Sequence, residues 1–380
     1  MGFEYLTNVP LAQARKEYLE RLVSGGFGSK TETIPVFESC GRVTAKAVYA
    51  HICAPHYAAS AMDGVAVSAK ETFGATETTP VTLKPDQFLV LDTGDPIPED
   101  KDAVIMVEDI VKNGDGSITI HAAAAPWQHI RQIGEDVCAG EMILPSHMTV
   151  SPAAIGAMIA GGVLEIEVIR KPVVGIIPTG DEIIPPCTDP KPGDILEFNG
   201  SIFSAMVRSW GAEAVIYPIV PDKFDQIKEM VAKAADECDM VILNAGSSAG
   251  REDFSARVIR ELGEVLYHGI AIKPGKPAIL GCRGEKVILG VPGYPVSGIK
   301  VSEQLLKPLI DHWLKAPAAT DTYVNATLTR PVVSGLKYQE FVRVRMGCVG
   351  GRLMASPLSR GSGVGCCFMK ADGILVGPPG

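Results

Sequence analysis

The spacing of hydrophobic residues changes along the chain and predicts several kinds of element. Apolar side chains at helical intervals predict a helix from Pro10 to Val23. From about Thr33 to Val150, short runs rich in Val, Ile and Thr are broken by Gly, Pro and Asp, which predicts a β-rich module with long loops. A second helix is expected over residues 151–160, because Ser151 can cap it and a proline occupies its first turn.

Between Lys171 and Leu314, apolar strands alternate with amphipathic helices. The predicted strands are Val173–Ile177, Ala214–Val220, Met240–Leu243 and Lys286–Leu289. The predicted helices begin at Asn199 or Ser201, span Lys223–Glu237, follow Asp253, and span Pro295–Leu314. The first of these helices is expected to bury Ile202, Met206 and Trp210. This alternation favours an open, mainly parallel sheet with helices on both faces.

Residues after Pro317 return to the alternation that is typical of strands. Val342 and Val344 are apolar, whereas Arg343 and Arg345 are charged. A strand with one apolar face and one charged face is therefore expected. The segment predicts a small C-terminal β-domain.

Composition narrows the class of protein. A chain of 380 residues with 46% hydrophobic residues can form several domains with sizeable cores. The net charge of −9 argues against a general binder of nucleic acid or anionic membranes. The N-terminus lacks the apolar core of a signal peptide, and no apolar stretch reaches 18 residues, so a cytoplasmic protein is expected. The nine cysteines contain no Cys-x-x-Cys, so neither structural zinc nor a disulfide framework is expected.

Three loops that follow apolar strands are the first candidates for a binding site: Pro178–Glu182, Asn244–Asp253 and Val291–Pro295. The carboxyl ends of parallel strands are where such sheets bind ligands, because neighbouring loops diverge there. The middle loop is rich in Gly, Ser and Ala, which lets backbone N–H groups approach a phosphate closely. A tight strand-to-helix turn without a ligand would have the same composition.

Charged residues supply the second set of candidates. Lys273 and Lys276 lie on a proline-flanked turn in an otherwise acidic chain, where a bound anion would relieve their repulsion. The alternative is a pair of solvated surface lysines. Carboxylates occur in loops marked by Gly or Pro, and near a phosphate they favour Mg²⁺, although each could simply cap a helix or turn. They are Asp63, Asp136, Glu182, Asp222 and Asp253.

Eight motifs, in this order, resemble the molybdopterin molybdenumtransferase family, which includes the bacterial MoeA proteins and the E domain of gephyrin. The matching segments are residues 60–67 (SAMDGVAV), 92–99 (DTGDPIPE), 134–137 (GEDV), 178–182 (PTGDE), 194–199 (DILEFN), 246–253 (GSSAGRED), 273–277 (KPGKP) and 292–297 (PGYPVS). One such motif would be weak, but eight in sequence across the whole chain are specific.

The resemblance implies a multidomain α/β and β architecture. Its central domain would be a MogA-like molybdopterin-binding fold at residues 171–316. Residues 1–57 with 140–170 would form a helical linker domain, residues 58–139 an inserted β-rich domain, and residues 317–380 a C-terminal β-barrel. A homodimer with a site shared between subunits is implied, and the adenylyltransferase of the preceding step is implied as a partner.

The resemblance also implies the reaction. The enzyme would insert molybdate, or tungstate, into adenylylated molybdopterin and release AMP, with Mg²⁺ assisting. A dithiolene supplies soft sulfur ligands to molybdenum, so the protein needs no cysteine cage of its own. Three alternatives stay open. One is a molybdopterin adenylyltransferase, which normally lacks the module containing Asp63 and Asp136. The others are a non-catalytic pterin-binding scaffold and, from the α/β pattern alone, a sugar- or nucleotide-binding protein without catalysis.

By the same resemblance, Lys273 and Lys276 would hold the pterin phosphate or molybdate. Asp253 and Glu182 would bind Mg²⁺. The other residues expected in the catalytic set are Asp63, Thr93, Asp136 and Asp222, of which the first three would come from the partner subunit. The other residues expected to contact the pterin ligand are Gly246, Ser247, Ser248, Pro292, Gly293 and Ser362.

Two segments depart from the family pattern. Many relatives have Gly-Gly-Val-Ser at residues 245–248 and Pro-Gly-Asn-Pro at residues 292–295, where this chain has Ala-Gly-Ser-Ser and Pro-Gly-Tyr-Pro. The bulkier Tyr294 is expected to alter the pterin pocket or the choice of oxyanion. Both variants resemble a subgroup with an additional periplasmic-binding-protein-like domain, so a continuation past Gly380 is expected.

Overall fold

The computed structural model describes residues 8–245, 254–315, 322–333, 335, 337–361 and 366–377. The chain divides into two compact units: a larger unit, Met1–Thr31 with Ile169–Gly380, and a smaller unit, Glu32–Val168. Within the larger unit, a π-helix, Ser302–Leu306, connects the helix Pro295–Val301 to the helix Lys307–Leu314. The helices of the described residues are α1 (Leu11–Ser24), α2 (Pro152–Ala160), α3 (Asn199–Ser209), α4 (Phe224–Glu237), α5 (Ser255–Leu262), α6 (Pro295–Val301), α7 (Lys307–Leu314) and α8 (Cys366–Met369).

The smaller unit is rich in short strands, as its sequence predicts. The strands are β1 (Thr31–Pro35), β2 (Val48–Tyr49), β3 (Ala59–Ser60), β4 (Gly64–Val67), β5 (Val81–Leu83), β6 (Phe88–Leu91), β7 (Ala103–Met106), β8 (Ile110–Lys112), β9 (Ile118–Ile120), β10 (Ile130–Arg131), β11 (Met142–Leu144) and β12 (Glu165–Ile169). Two antiparallel three-stranded sheets, in the orders β6-β4-β7 and β5-β9-β8, enclose one apolar core. A second core lies under α2, whose predicted cap is confirmed, since Ser151 accepts a hydrogen bond from the N–H of Ala154 at 3.2 Å.

The larger unit contains the predicted sheet. Its strands are β13 (Val173–Pro178), β14 (Ile183–Ile184), β15 (Ile195–Leu196), β16 (Glu213–Ile216), β17 (Met240–Ala245), β18 (Glu264–His268), β19 (Ile272–Lys273), β20 (Ile279–Arg283), β21 (Lys286–Pro292), β22 (Thr327–Leu328), β23 (Gln339–Val349), β24 (Arg352–Pro357) and β25 (Gly373–Gly377). The main sheet has the order β16-β13-β17-β21-β20-β18. Its first four strands are parallel, which confirms the prediction, and β20 and β18 extend it in antiparallel fashion.

One face of α3 differs from the prediction. The helix buries Phe203, Ser204 and Val207, whereas Ile202 and Met206 are only partly buried. Apolar residues of α3 are adjacent in the sequence, as in Ile202-Phe203 and Met206-Val207. Successive helical residues are rotated by about 100°, so the sequence allows two different faces to be the buried one. The side facing α6 is the one buried, and the fit is close: a β-carbon at Gly298 would lie 2.7 Å from Cζ of Phe203.

The C-terminal β-domain is organised around β23. This strand pairs with β19 in parallel and with β24 and β25 in antiparallel fashion, and β22 pairs with β24. The predicted charged face is wrong at Arg343, which is only 6% exposed. Its guanidinium donates a hydrogen bond to the carbonyl of Ser359 at 2.6 Å and lies 5.3 Å from the ring centroid of Phe368.

Candidate active site

A cavity of about 430 Å³ lies at the carboxyl ends of β13, β17 and β21. Thr179 and Glu182 line it after β13, Asn244 lines it at the end of β17, and Gly293 lines it after β21. Parallel strands end at the same edge of a sheet, so the loops that follow them meet there. Pro292 and Gly293, both expected from the sequence to contact the ligand, therefore lie in its wall.

Asn244 links the loops around this cavity. Its Nδ2 donates to the carbonyls of Val291 at 3.2 Å and Pro292 at 3.1 Å. Its Oδ1 accepts a hydrogen bond from Nδ2 of Asn199 at 3.1 Å. Its backbone carbonyl accepts from the N–H of Thr179 at 3.0 Å. The side-chain amide and the backbone carbonyl of Asn244 thus hold the segments of the cavity wall in register, a role that no sequence pattern predicted.

Two of the predicted carboxylates lie on neighbouring loops at this edge. Glu182 is exposed and lines the cavity. The N–H of Gly180 donates to the carbonyl of Val220 at 3.1 Å, and the N–H of Asp222 donates to Oδ1 of Asp181 at 3.1 Å. These bonds hold the Asp222 loop beside the Pro178–Glu182 loop.

A second cavity, of about 400 Å³, contains most of the cationic side chains of the site. Lys273, Lys276, Arg343 and Arg360 line it, together with the single carboxylate of Glu340. The pairing of β19 with β23 explains the arrangement, because it places Lys273 directly opposite Glu340. Two lysines of the β19 turn, Arg343 of β23 and Arg360 of the loop after β24 therefore face one space.

Aromatic and ionic contacts restrict these cations. Nζ of Lys273 lies 4.6 Å from the ring centroid of Tyr338, and Nζ of Lys276 lies 5.9 Å from the same centroid. Arg360 is paired with Glu340 at 3.4 Å. Four cations and one carboxylate leave an excess of positive charge, which favours an anionic ligand.

The two cavities adjoin each other. Pro277, Pro292 and Tyr294 line both of them. The first cavity also has Phe198 in its wall, and the side chains of Phe198 and Tyr294 are 43% and 65% exposed. Large aromatic rings at the surface of a cavity offer flat apolar area to a ligand. The arrangement suits a ligand that has a planar heterocycle at one end and negative charge at the other.

In the smaller unit, Asp63 and Thr93 are hydrogen-bonded to each other. Oδ1 of Asp63 accepts from the hydroxyl of Thr93 and from its backbone N–H, both at 2.7 Å. These two bonds lower the pKa of Asp63, because they stabilise the charged carboxylate. Asp136 is exposed on another loop, where its backbone N–H donates to the carbonyl of Ala54 at 3.0 Å.

Several predicted site residues lie outside the described residues: Gly246, Ser247, Ser248, Asp253 and Ser362. Conversely, no sequence pattern marked Asn199, Asn244 or Arg343 as a site residue. Asn244 ends an apolar strand, which is a usable signal for a positioning role. Arg343 gave a misleading signal, because it alternates with apolar residues as an exposed side chain would.

Comparisons with known proteins agree with this geometry. The chain matches the MoeA N-terminal region (domain I and II) at residues 9–162, the "Probable molybdopterin binding domain" at 175–312 and the MoeA C-terminal region (domain IV) at 325–380. It is 32% identical to the molybdopterin molybdenumtransferase of Haemophilus influenzae, over 81% of this chain and 80% of that protein. The chain belongs to the molybdopterin molybdenumtransferase family. The predicted family, the transferase class and the role in molybdenum cofactor biosynthesis are thereby confirmed.

Further relatives support the same conclusion. The molybdopterin molybdenumtransferase of Bacillus subtilis is 28% identical, over 92% of this chain and 86% of that protein. The crystal structure of the molybdopterin biosynthesis MoeA protein from Pyrococcus horikoshii is 31% identical and superposes with a TM-score of 0.82, covering 98% of this chain and 95% of that one. Within the described ranges, no helix has both the length and the apolar character needed to cross a membrane.

Proposed function

We propose that this enzyme acts on adenylylated molybdopterin and molybdate, or tungstate, and releases AMP and the metal-loaded cofactor. The phosphoanhydride between the pterin phosphate and AMP is cleaved as an oxygen of water or of the oxyanion bonds to phosphorus. The two dithiolene sulfurs replace oxygen ligands of the metal, which leave as water with the thiol protons. The proposal includes a cytoplasmic homodimer in which Asp63, Thr93 and Asp136 come from the partner subunit. The observation that carries it is the pair of adjoining cavities, one aromatic and one cationic.

The aromatic cavity is proposed to take the pterin ring. Its exposed Phe198 and Tyr294 provide flat apolar surface, while Asn244 and Asn199 hold the loops that shape it. A largely apolar wall with few polar groups is the usual composition of a site for a small heterocycle. Such a wall would bind the ring and leave its charged substituents directed toward the shared boundary at Pro292.

The cationic cavity is proposed to take the phosphate and the oxyanion. Lys273, Lys276, Arg343 and Arg360 offset the repulsion between two anions that must come together before reaction. Arginine can bind an oxyanion with two parallel N–H donors, and lysine adds a compact charge. Preorganised cations of this kind also stabilise charge that develops on the departing phosphate.

The carboxylates at the edge of the sheet fit a Mg²⁺ ion that is shared with phosphate. Mg²⁺ usually keeps several waters and takes only one or two protein carboxylates beside substrate phosphates. Glu182 offers one exposed carboxylate at the first cavity, and Asp181 and Asp222 lie on the loops next to it. When bound, Mg²⁺ would neutralise charge on the phosphoanhydride. The resemblance to the family implies Asp253, which lies outside the described residues, as a second ligand.

The test is to supply adenylylated molybdopterin with molybdate or with tungstate, and to measure AMP release and cofactor formation. Lys273→Ala and Lys276→Ala are each expected to lower kcat/KM about 100-fold, because a hydrogen bond to a charged group is worth about 1.5–3 kcal/mol. Lys228→Ala is the matched control, since Lys228 pairs with Glu261 at the surface. Formation of adenylylated pterin from molybdopterin and ATP alone would refute the proposal.

A further inference from the structure

Cys53 and Cys138 face each other across two antiparallel segments of the smaller unit. Ala54 and Val137 exchange two backbone hydrogen bonds, with Ala54 N–H donating to Val137 O at 2.8 Å and Val137 N–H donating to Ala54 O at 3.2 Å. The next pair outward in this register is Cys53 opposite Cys138. Positions beside a hydrogen-bonded pair form a non-hydrogen-bonded pair, in which the two side chains are closest.

The sulfur atoms occupy a space that only a glycine leaves open. A β-carbon at Gly134 would lie 2.7 Å from Sγ of Cys138 and 3.6 Å from Sγ of Cys53, so the two sulfurs are neighbours. Gly134 has a φ of +73°, which a side chain would also disfavour. Sγ of Cys53 accepts a hydrogen bond from the N–H of Ala139 at 3.3 Å, which holds it on this side of the segment.

The two thiols are not joined in the structure and differ in access. Cys138 is exposed, and Cys53 is partly buried beside it. An exposed thiol with a second thiol at its side is the arrangement in which a mixed disulfide is resolved within the chain.

We propose that Cys53 and Cys138 form a reversible intrachain disulfide by exchange with a low-molecular-weight disulfide of the glutathione class. The thiolate of Cys138 attacks the small disulfide, forms a mixed disulfide and releases one small thiol. The thiolate of Cys53 then attacks Sγ of Cys138 and releases the second small thiol. The two protein thiols lose two electrons in total, the small disulfide gains them, and both protons end on the released thiols.

The bond would restrain a loop that carries a predicted site residue. Residues 134–137 lie between the new bond and the hydrogen bond from the N–H of Gly134 to the carbonyl of Pro55, at 3.0 Å. Asp136 lies on this loop. Oxidation therefore ties the Asp136 loop covalently to the segment that contains Cys53, whereas in the reduced protein hydrogen bonds hold the two segments together. This proposal does not depend on the reaction that the enzyme catalyses.

The test uses the purified full chain incubated with oxidised glutathione, then digested without reduction and analysed by mass spectrometry. The expected product is a peptide pair linked through Cys53 and Cys138, with two fewer free thiols, a higher melting temperature than the reduced protein, and reversal by dithiothreitol. Separate glutathione adducts on the two cysteines, no loss of thiols, or linkage to a different cysteine would overturn the proposal.

Three variants make the outcome specific. Cys53→Ser is expected to stop at a glutathione adduct on Cys138, with no gain in melting temperature. Cys187→Ser removes an exposed cysteine of the larger unit and is expected to form the link as the unmodified chain does. Gly134→Ala is expected to slow the link, because its β-carbon would displace Sγ of Cys138. Equal rates of link formation in Gly134→Ala and the unmodified chain would contradict the assigned geometry.

Discussion

Replacing Asn244 with alanine should disable the site while leaving the chain folded. Asn244 is 6% exposed, donates two hydrogen bonds to carbonyls at the end of β21 and accepts one from Asn199. Each such bond contributes about 0.5–1.5 kcal/mol net, so three of them amount to about 3 kcal/mol. The variant leaves the carbonyls of Val291 and Pro292 without this donor, which is the costly form of the loss, whereas the Asn199 amide still donates to the carbonyl of Gly293 at 2.7 Å.

The effect is best measured locally, because a chain with two compact units need not unfold in one transition. Hydrogen–deuterium exchange of peptides that span β17 and β21 reports the opening of these strands. If the free energy of opening falls by about 3 kcal/mol, amides that exchange only when these strands open should exchange roughly 100-fold faster. A displacement of the loops by about 1 Å would also lower kcat/KM by about 100-fold.

Asn113→Ala is the matched control. Nδ2 of Asn113 also donates two hydrogen bonds, to Ser117 Oγ at 2.9 Å and Thr119 Oγ1 at 3.0 Å, but in the smaller unit. Its replacement is expected to destabilise the turn by about 1–2 kcal/mol without a change in kcat/KM. Full activity in Asn244→Ala, with unchanged exchange in β17 and β21, would refute the view that this amide holds the cavity together.

Two further predictions concern single carboxylates. Asp239→Asn should lower the free energy of unfolding of the larger unit by about 3 kcal/mol in urea, because Nη2 of Arg170 contacts both buried carboxylate oxygens at 2.8 and 2.7 Å. The same change at the exposed Asp236 should cost less than about 1 kcal/mol, and equal losses would contradict the argument. Thr93→Val should raise the pKa of Asp63 toward its ordinary value in an NMR titration, since the lost hydroxyl lowers it, whereas Thr93→Ser should not. Because the pKa of Asp63 is lowered, the stabilisation by Thr93 is fully present above the ordinary pKa and is lost as the pH falls through the lowered pKa. An unchanged pKa of Asp63 in Thr93→Val would count against this assignment.

Much of the fold followed from local pattern. The helices α1, α2 and α4 and the parallel strands β13, β17 and β21 lie where periodicity and capping residues predict them. The antiparallel strands β18 and β20 were missed. They are short apolar runs interrupted by Gly and charged residues, and their pairing depends on the free edge that β21 offers. Such an edge exists only after the parallel strands have assembled.

The candidate site likewise has residues that local pattern predicts and residues that only tertiary contacts place. The sequence predicted Glu182, Asp222, Lys273 and Lys276 as site residues, because each lies on a loop or turn with a recognisable composition. Glu182 lines the first cavity and the two lysines line the second. It placed Arg343 on a solvated face, since alternation with apolar neighbours is the local signature of exposure. The structure buries Arg343 because the carbonyl of Ser359 and the ring of Phe368 compensate for lost hydration.

The amino-acid sequence by itself determined which residues form strands and helices and which loops follow the parallel strands. These properties depend on neighbours within a few positions. Only the tertiary structure decided that Lys273 and Arg343 share a cavity, that Tyr294 stands between two cavities, and that Cys53 opposes Cys138. Those relations depend on pairing between distant segments, and the free energy of that pairing is not encoded in the spacing of either segment alone.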